Sequence, residues 1–252
     1  MDYTPGELMV CAAAREIQDR QVIFVGMRLP LLAFAVAKNL HAPSAIGLFE
    51  NGLVREQPAP ELLFTMSDNP NVAGALWCTG MRNVMGLLAQ GYVDLGFIGG
   101  AEVDKYGNLN TSYIGAWQKP QVKLPGSGGA ADIASLSKKT LIIMAHERRR
   151  FKEKVDYITS PGFGEGEKWR DKVGLPGHGP QAIITTLGIL RFDGESREAY
   201  LDSYHPGSGV EEIKTHTGWD LKIKPGAAPT PPPTKEELEI LRRYDPQKFW
   251  TK

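Results

Sequence analysis

Short apolar runs rich in branched residues alternate with stretches of helical periodicity along this chain, a pattern that predicts an α/β fold. Thr4-Pro5-Gly6-Glu7 reads as a helix start. Thr4 caps, Pro5 tolerates the first helical position and Glu7 closes a capping box. Leu8, Cys11, Ala12, Arg15 and Ile17 then run along the first helix. Residues 21–25 form a buried strand ended by Gly26, and 31–40 return to a helical pattern after Pro30. A second strand is expected at 45–49, a helix at 81–90 that Gly91 terminates, and a strand at 93–98 that runs into Gly99-Gly100. Residues 141–145 and 182–187 are further strands, and 155–159 is a weaker one. This many short strands with intervening helices predicts one open, mostly parallel or mixed sheet flanked by helices.

Between these elements, residues 161–179 carry Gly162, Gly164, Gly166, Gly174 and Gly177, and are expected to form a long surface excursion. Residues 226–233 read as a proline-rich linker, after which Thr234-Lys235-Glu236-Glu237 is a second capping box opening a helix that Pro246 ends. The expected organisation is a single α/β domain over 1–225, with the linker and C-terminal helix of 226–252 packed on it. There is no internal repeat.

Composition narrows the function classes. The 29 basic and 29 acidic side chains cancel, so the chain has no general attraction for nucleic acid or an anionic membrane. Arg148-Arg149-Arg150 with Lys152 and Lys154 is most simply a solvated face. Cys11 and Cys78 show no zinc or redox spacing and fit a reduced cytoplasmic protein. The apolar run at 29–37 is too short for a membrane span, and no signal peptide is visible. Of 252 residues, 28 are Gly and 18 Pro, above ordinary usage, so these residues should have specific structural uses.

Three clusters place glycine at a strand end or beside a charged group: Phe49-Glu50-Asn51-Gly52, Gly99-Gly100-Ala101-Glu102-Val103-Asp104, and Gly126-Ser127-Gly128-Gly129-Ala130-Ala131-Asp132. Open α/β sheets bind ligands in the crevice outside the carboxyl ends of their strands, and glycine there lets a backbone N–H reach a ligand oxygen. Glu50 is either a nucleophile toward a reactive acyl group or a solvated acid in an Asn-Gly turn. Gly126-Ser127-Gly128-Gly129 is an anion cradle, an oxyanion site or a flexible loop. It lacks the Lys-Ser/Thr ending of a phosphate loop, and no dinucleotide fingerprint or Gly-x-Ser-x-Gly elbow is present. His41, His146, His178, His205 and His216 form no close metal pair, so no metal site is expected.

With these clusters in order, the chain resembles the β subunit of a family I coenzyme A transferase, in the branch of glutaconate and 3-oxoadipate CoA-transferases. The likeness runs from Val22-Ile23-Phe24-Val25-Gly26 and Leu40-His41-Ala42-Pro43 through Gly99-Gly100-Ala101-Glu102-Val103-Asp104-Lys105-Tyr106-Gly107-Asn108-Leu109-Asn110-Thr111. It continues through Leu124-Pro125-Gly126-Ser127-Gly128-Gly129-Ala130, Gly164-Glu165-Gly166, Gly174-Leu175-Pro176-Gly177 and His205-Pro206-Gly207 to the proline-rich tail.

The resemblance implies the CoA-transferase fold and a nucleophilic glutamate at Glu50, with Gly26, Asn51 and Gly52 as supporting motif residues. It implies an oxyanion or CoA contact from backbone N–H groups near Gly100 and Ala101 or near Gly128 and Gly129. It also implies coenzyme A and acyl-CoA as substrates without a tightly bound cofactor, and an α subunit in a hetero-oligomer. The favoured branch usually has Glu-Ser-Gly, whereas Glu50-Asn51-Gly52 has the ending of the acetoacetate and succinyl-CoA branch; this bears on the substrate and not on the nucleophile. Two other readings stand beside transfer: a hydrolase or decarboxylase on the same subunit pair, and a noncatalytic ligand-sensing domain. Relatives with hydrolase or decarboxylase activity often lose or displace the motif glutamate, so its presence favours transfer.

Overall fold

The alternation of strands and helices is realised over the described residues, 2–252, of the computed structural model. The chain forms two compact units. One unit comprises the residues up to Phe97 together with Pro232–Lys252, and the other comprises Ile98–Pro231.

In the first unit, α1 (Pro5–Ala14) starts at the capping box: Thr4 Oγ1 accepts from Glu7 N at 3.1 Å and Glu7 Oε2 accepts from Thr4 N at 2.8 Å. Every α1 residue from Gly6 to Ala14 is buried, as expected of a helix that is apolar on all sides. The chain continues through β1 (Val22–Phe24), α2 (Leu29–Leu40), β2 (Ile46–Phe49), β3 (Leu53–Arg55), α3 (Asn69–Val72), β4 (Trp77–Cys78), α4 (Met81–Ala89) and β5 (Leu95–Ile98). The strand order is β5-β1-β2-β3-β4. β5, β1 and β2 run parallel, with Ile23 level with Leu95 and with Gly47, while β3 and β4 return antiparallel. The carboxyl ends of β1, β2 and β5 therefore share one edge.

In the second unit come β6 (Glu102–Asp104), β7 (Leu109–Asn110), β8 (Tyr113–Ala116), β9 (Lys119–Lys123), α5 (Ala130–Leu136), β10 (Lys139–Met144) and β11 (Phe151–Lys152). They are followed by α6 (Trp169–Lys172), β12 (Pro180–Thr185), β13 (Gly188–Phe192), β14 (Ala199–Tyr204), α7 (Val210–Thr215) and β15 (Lys222–Pro229). The main sheet of this unit has the order β15-β14-β13-β12-β10, parallel at both ends and antiparallel between; β11-β6-β7 and β8-β9 form small sheets of their own. The mixed sheet and flanking helices agree with the expected fold class.

The last helix, α8 (Lys235–Tyr244), returns to the first unit and packs on α1 and α2. Its second capping box is present, with Thr234 Oγ1 accepting from Glu237 N at 3.1 Å. Arg15 Nη2 lies 2.6 Å from Glu237 Oε2, and Arg242 Nε lies 2.8 Å from Glu7 Oε1. Burial pushes the Glu7 carboxyl up, but the hydrogen bonds and charges of Arg242, Thr4 and Lys248 outweigh it and hold Glu7 below the usual carboxylate range.

Three expectations are corrected. Residues 155–159 are not a strand: the pairing goes to β11 on one side and to an isolated Leu109–Ser160 bridge on the other. Residues 226–229 belong to β15 and not to a linker; Pro229 is accommodated because β15 is the last strand in the order. The 161–179 segment is not a mere surface excursion. It wraps the buried Arg170 guanidinium, which donates to the carbonyls of Gly162, Pro176, Ser135 and Ala134 at 2.8–3.3 Å. The first unit repeats this device: buried Arg55 on β3 donates to the carbonyls of Gln57, Pro58, Asn71 and Ala73, and so organises the irregular stretch after β3.

Candidate functional site

Glu50, Asn51 and Gly52 form the three-residue turn that joins β2 to β3, with Phe49 level with Leu53 across it. Gly52 N donates to Phe49 O at 2.9 Å, and its φ of +103° belongs to the region that favours glycine. A Cβ at Gly52 would stand 2.2 Å from Thr79 O, while Thr79 N donates to Gly52 O at 2.9 Å. Asn51 Nδ2 donates to Met66 O at 2.7 Å, the same carbonyl that Asn71 Nδ2 reaches at 2.7 Å. The turn is thus clamped on both sides by the stretch after β3. Phe49 is buried, and Glu50 is half-buried at the tip.

Gly26 follows β1 at the same sheet edge. A Cβ there would make ordinary contact, 3.4 Å from Pro30 Cγ, so packing does not by itself require glycine. Gly26, Glu50, Asn51 and Gly52 are therefore brought together in the first unit, where the predicted turn at Asn-Gly is also a hairpin.

In the second unit, Gly99 and Gly100 lead into β6. The Ala101 N–H donates to Asn110 O at 3.0 Å, so it is already occupied, whereas no acceptor faces the Gly100 N–H among the described residues. Gly100 O accepts from Arg150 Nη1 at 3.4 Å. Gly128 has φ +49°, and Gly129 stands at the N-cap of α5. Gly126 N donates to Thr111 O at 2.8 Å, one residue beyond the carbonyl that holds Ala101. Both glycine clusters are thus tethered to adjacent residues of one segment, a juxtaposition that their spacing in the chain did not reveal.

The block between those clusters is structural. Asp104 Oδ1 accepts from Tyr106 N and Asn108 N, each at 3.0 Å, and Asp104 Oδ2 accepts from Asn108 Nδ2 at 2.9 Å. Asn108 Nδ2 also donates to Gly164 O at 2.8 Å, while Asn108 Oδ1 accepts from Gly162 N and Gly164 N at 2.9 and 3.0 Å. Burial pushes the Asp104 carboxyl up to about 6 despite these donors. Glu102, also buried, accepts from Asn110 Nδ2 at 2.8 Å.

Two of the histidines, His146 and His205, are core residues. His146 bonds Thr185 Oγ1 and Thr217 Oγ1 at 3.1 and 3.0 Å and stacks on Phe151, and His205 bonds Thr230 Oγ1 and Thr185 O at 3.0 and 2.7 Å. Burial pushes their pKa values down to about 3 and about 4. His205 directly follows the last residue of β14, and its carbonyl accepts from Ser208 N at 2.9 Å, opening a turn. Among the described residues no cluster of three or more His, Cys, Asp or Glu is placed to hold a metal ion, and no helix is long and apolar enough to cross a membrane. Arg149 and Arg150 pair with Glu147, and Lys152 approaches Glu102.

A family model described as coenzyme A transferase matches residues 7–216. The chain is 39% identical over 244 residues to the B-type subunit of 3-oxoadipate CoA-transferase from Pseudomonas knackmussii, covering 96% of this chain and 94% of the relative. It is 40% identical over 230 residues to the B-type subunit of glutaconate CoA-transferase from Acidaminococcus fermentans, covering 88% and 85%. In three dimensions it is similar to the crystal structure of glutaconate coenzyme A-transferase from Acidaminococcus fermentans. That match has a TM-score of 0.93 and 34% identity, and covers 100% of this chain and 98% of the other.

Proposed function

Because the chain belongs to the coenzyme A transferase family, we propose that it is the B-type subunit of a two-subunit transferase and that Glu50 is the nucleophile. The observation that carries this reading is the position of Glu50 on a clamped hairpin tip, at the edge where the parallel strands β1, β2 and β5 end. A carboxylate is a weak nucleophile, so it needs a fixed approach; well-oriented groups reach effective molarities of about 10⁵–10⁸ M. The clamps at Asn51 and Gly52 support such fixing.

In this scheme a Glu50 oxygen attacks the thioester carbonyl of the donor acyl-CoA. The carbon–sulfur bond breaks, giving a mixed anhydride and the CoA thiolate. The thiolate attacks the glutamyl carbonyl, releases the donor carboxylate and leaves a glutamyl-CoA thioester. An acceptor carboxylate then runs the same steps in reverse, so no proton or electron is consumed overall. A backbone N–H of Gly100, Ala101, Gly128 or Gly129 is proposed for the oxyanion or CoA contact; that of Ala101 would first have to leave Asn110 O. Coenzyme A is a substrate here, and nothing in the scheme calls for a tightly bound cofactor.

Both relatives named above act, by their names, on dicarboxylic acids, and we extend that substrate class to this chain. Each of them is one of two kinds of subunit, which supports a partner subunit in a hetero-oligomer here as well. Val72, Leu76, Trp77 and Met81, large apolar side chains left exposed just after the stretch that clamps the hairpin, support a partner covering this face. The two unpaired cysteines, Cys11 buried and Cys78 exposed, support a reducing cytoplasmic setting. The test is mass spectrometry of the complex with its partner subunit after incubation with acetyl-CoA. A CoA adduct on Glu50 is expected; free acid formed without any carboxylate acceptor, or exchange without an adduct, overturns the reading.

A further inference from the structure

Arg28 carries a charge that the transfer chemistry above does not use. It follows Gly26 and Met27 off the carboxyl end of β1 with φ at +67°, a backbone state that L side chains seldom adopt. Its side chain is exposed, and among the described residues no carboxylate pairs with it. The guanidinium lies instead 5.1 Å from the centroid of the Trp250 ring, a contact that holds a cation without neutralising it.

That aromatic seat is tied to the nucleophile's turn. Trp250 Nε1 donates to Leu63 O at 3.1 Å, and Met66 O, three residues on, accepts from Asn51 Nδ2 at 2.7 Å. Arg28 and Glu50 thus hang on the same short stretch of chain. The sheet register leads to the same place. The parallel pairing of β1 with β2 ends at Phe24 and Leu48, so the segment that carries Gly26 and Arg28 and the turn that carries Glu50 leave the sheet at the same edge from adjacent strands. Phe64 and Phe249, both partly exposed and packed edge to face at 4.9 Å, stand beside Trp250 and offer apolar contact for a methylene chain.

We propose that Arg28 receives the distal carboxylate of a dicarboxylic acyl group whose thioester carbonyl lies against Glu50. This rests on the reading of Glu50 as the nucleophile and names the residue that selects the substrate class. The guanidinium fork matches a carboxylate in two parallel hydrogen bonds. It also gives the second carboxylate of a dianionic acceptor a fixed counter-charge, which a monocarboxylic acid of equal length cannot use.

The experiment uses the complex with its partner subunit, acetyl-CoA as donor, and glutarate or pentanoate as acceptor. The wild-type complex is first checked for the acetyl-CoA-derived adduct on Glu50; its absence overturns the nucleophile reading and this proposal with it. With the adduct present, Arg28→Gln is expected to lower the glutarate-to-pentanoate ratio of kcat/KM by about 10–100-fold, the scale of a lost charge-assisted contact. Arg28→Lys, which keeps the charge, is expected to recover part of that ratio. An unchanged ratio in Arg28→Gln, an equal loss for both acceptors, or a wild-type complex that does not prefer glutarate overturns the assignment to Arg28 while leaving Glu50 in place.

Discussion

Two turns in this molecule combine a carboxylate, an asparagine and a left-handed glycine, and they do opposite things. Glu50-Asn51-Gly52 closes a hairpin whose asparagine and glycine are anchored while the acid stays half-exposed at the tip. In the turn from Asp104 to Asn108, with Gly107 at φ +71°, the acid and the asparagine are both buried and bonded to each other and to backbone N–H groups. The difference lies in where the donors point. At Asp104 the turn's own N–H groups converge on the carboxylate and make it structural; at the hairpin the clamps fall on Asn51 and Gly52, and Glu50 stands half-exposed at the tip.

Exchanging the treatment of the two turns gives the largest expected effects. Glu50→Gln should lower transfer by the reconstituted complex by about 10⁴-fold or more, the scale seen when a nucleophile is removed. Its thermal transition should match wild type, and a large stability loss would move Glu50 into the structural class. Asn108→Ala should do the converse. It strips partners from Asp104 and from the N–H groups of Gly162 and Gly164, at a cost of about 3 kcal/mol in chemical denaturation, on the scale of buried groups left unpaired. A loss below about 1 kcal/mol would show that water replaces those bonds.

The smallest effect is a pH dependence that sharpens the contrast between buried acids and buried bases. Asp104 has a folded pKa of about 6, above its unfolded value, so its contribution is complete below the unfolded pKa and is lost as pH rises through about 6. His146 and His205, at about 3 and about 4, are depressed below their unfolded value of 6.5. The unfolded chain therefore binds more protons at these two sites below pH 6.5, and stability is lost as pH falls from 6.5 toward 4. Two histidines oppose one aspartate over this window, so these groups together should make the protein less stable as pH falls from 6.5 to 4. His205→Gln should flatten that slope in a denaturation series; an unchanged slope would show that His205 does not titrate with unfolding.

Much of the functional edge was legible because it is local. Capping boxes at Thr4 and Thr234, the Asn-Gly turn after β2 and the glycine at the end of β1 are each read from a few adjacent residues, and each is found in its expected place. The short strands β3 and β4 escaped notice because two or three residues carry no period. The roles of Arg55 and Arg170 were illegible for another reason: a buried guanidinium is recognisable only by the carbonyls that surround it, and those come from loops without a pattern.

The sequence by itself determined the fold class, the family motifs and Glu50 as the candidate nucleophile, since these rest on periodicity and on contiguous residue types. Only the tertiary structure decided which motif residues are buried and tied down. The division of the chain, with Pro232–Lys252 returning to the first unit, places Trp250 beside Arg28 and Leu63 across more than 180 residues of chain. Likewise the folding of Gly162 and Gly164 onto Asn108 turns a conspicuous acidic motif into core. Burial and hydrogen-bond satisfaction arise from contacts distant in sequence, and those contacts set whether a carboxylate is a structural link or a reagent.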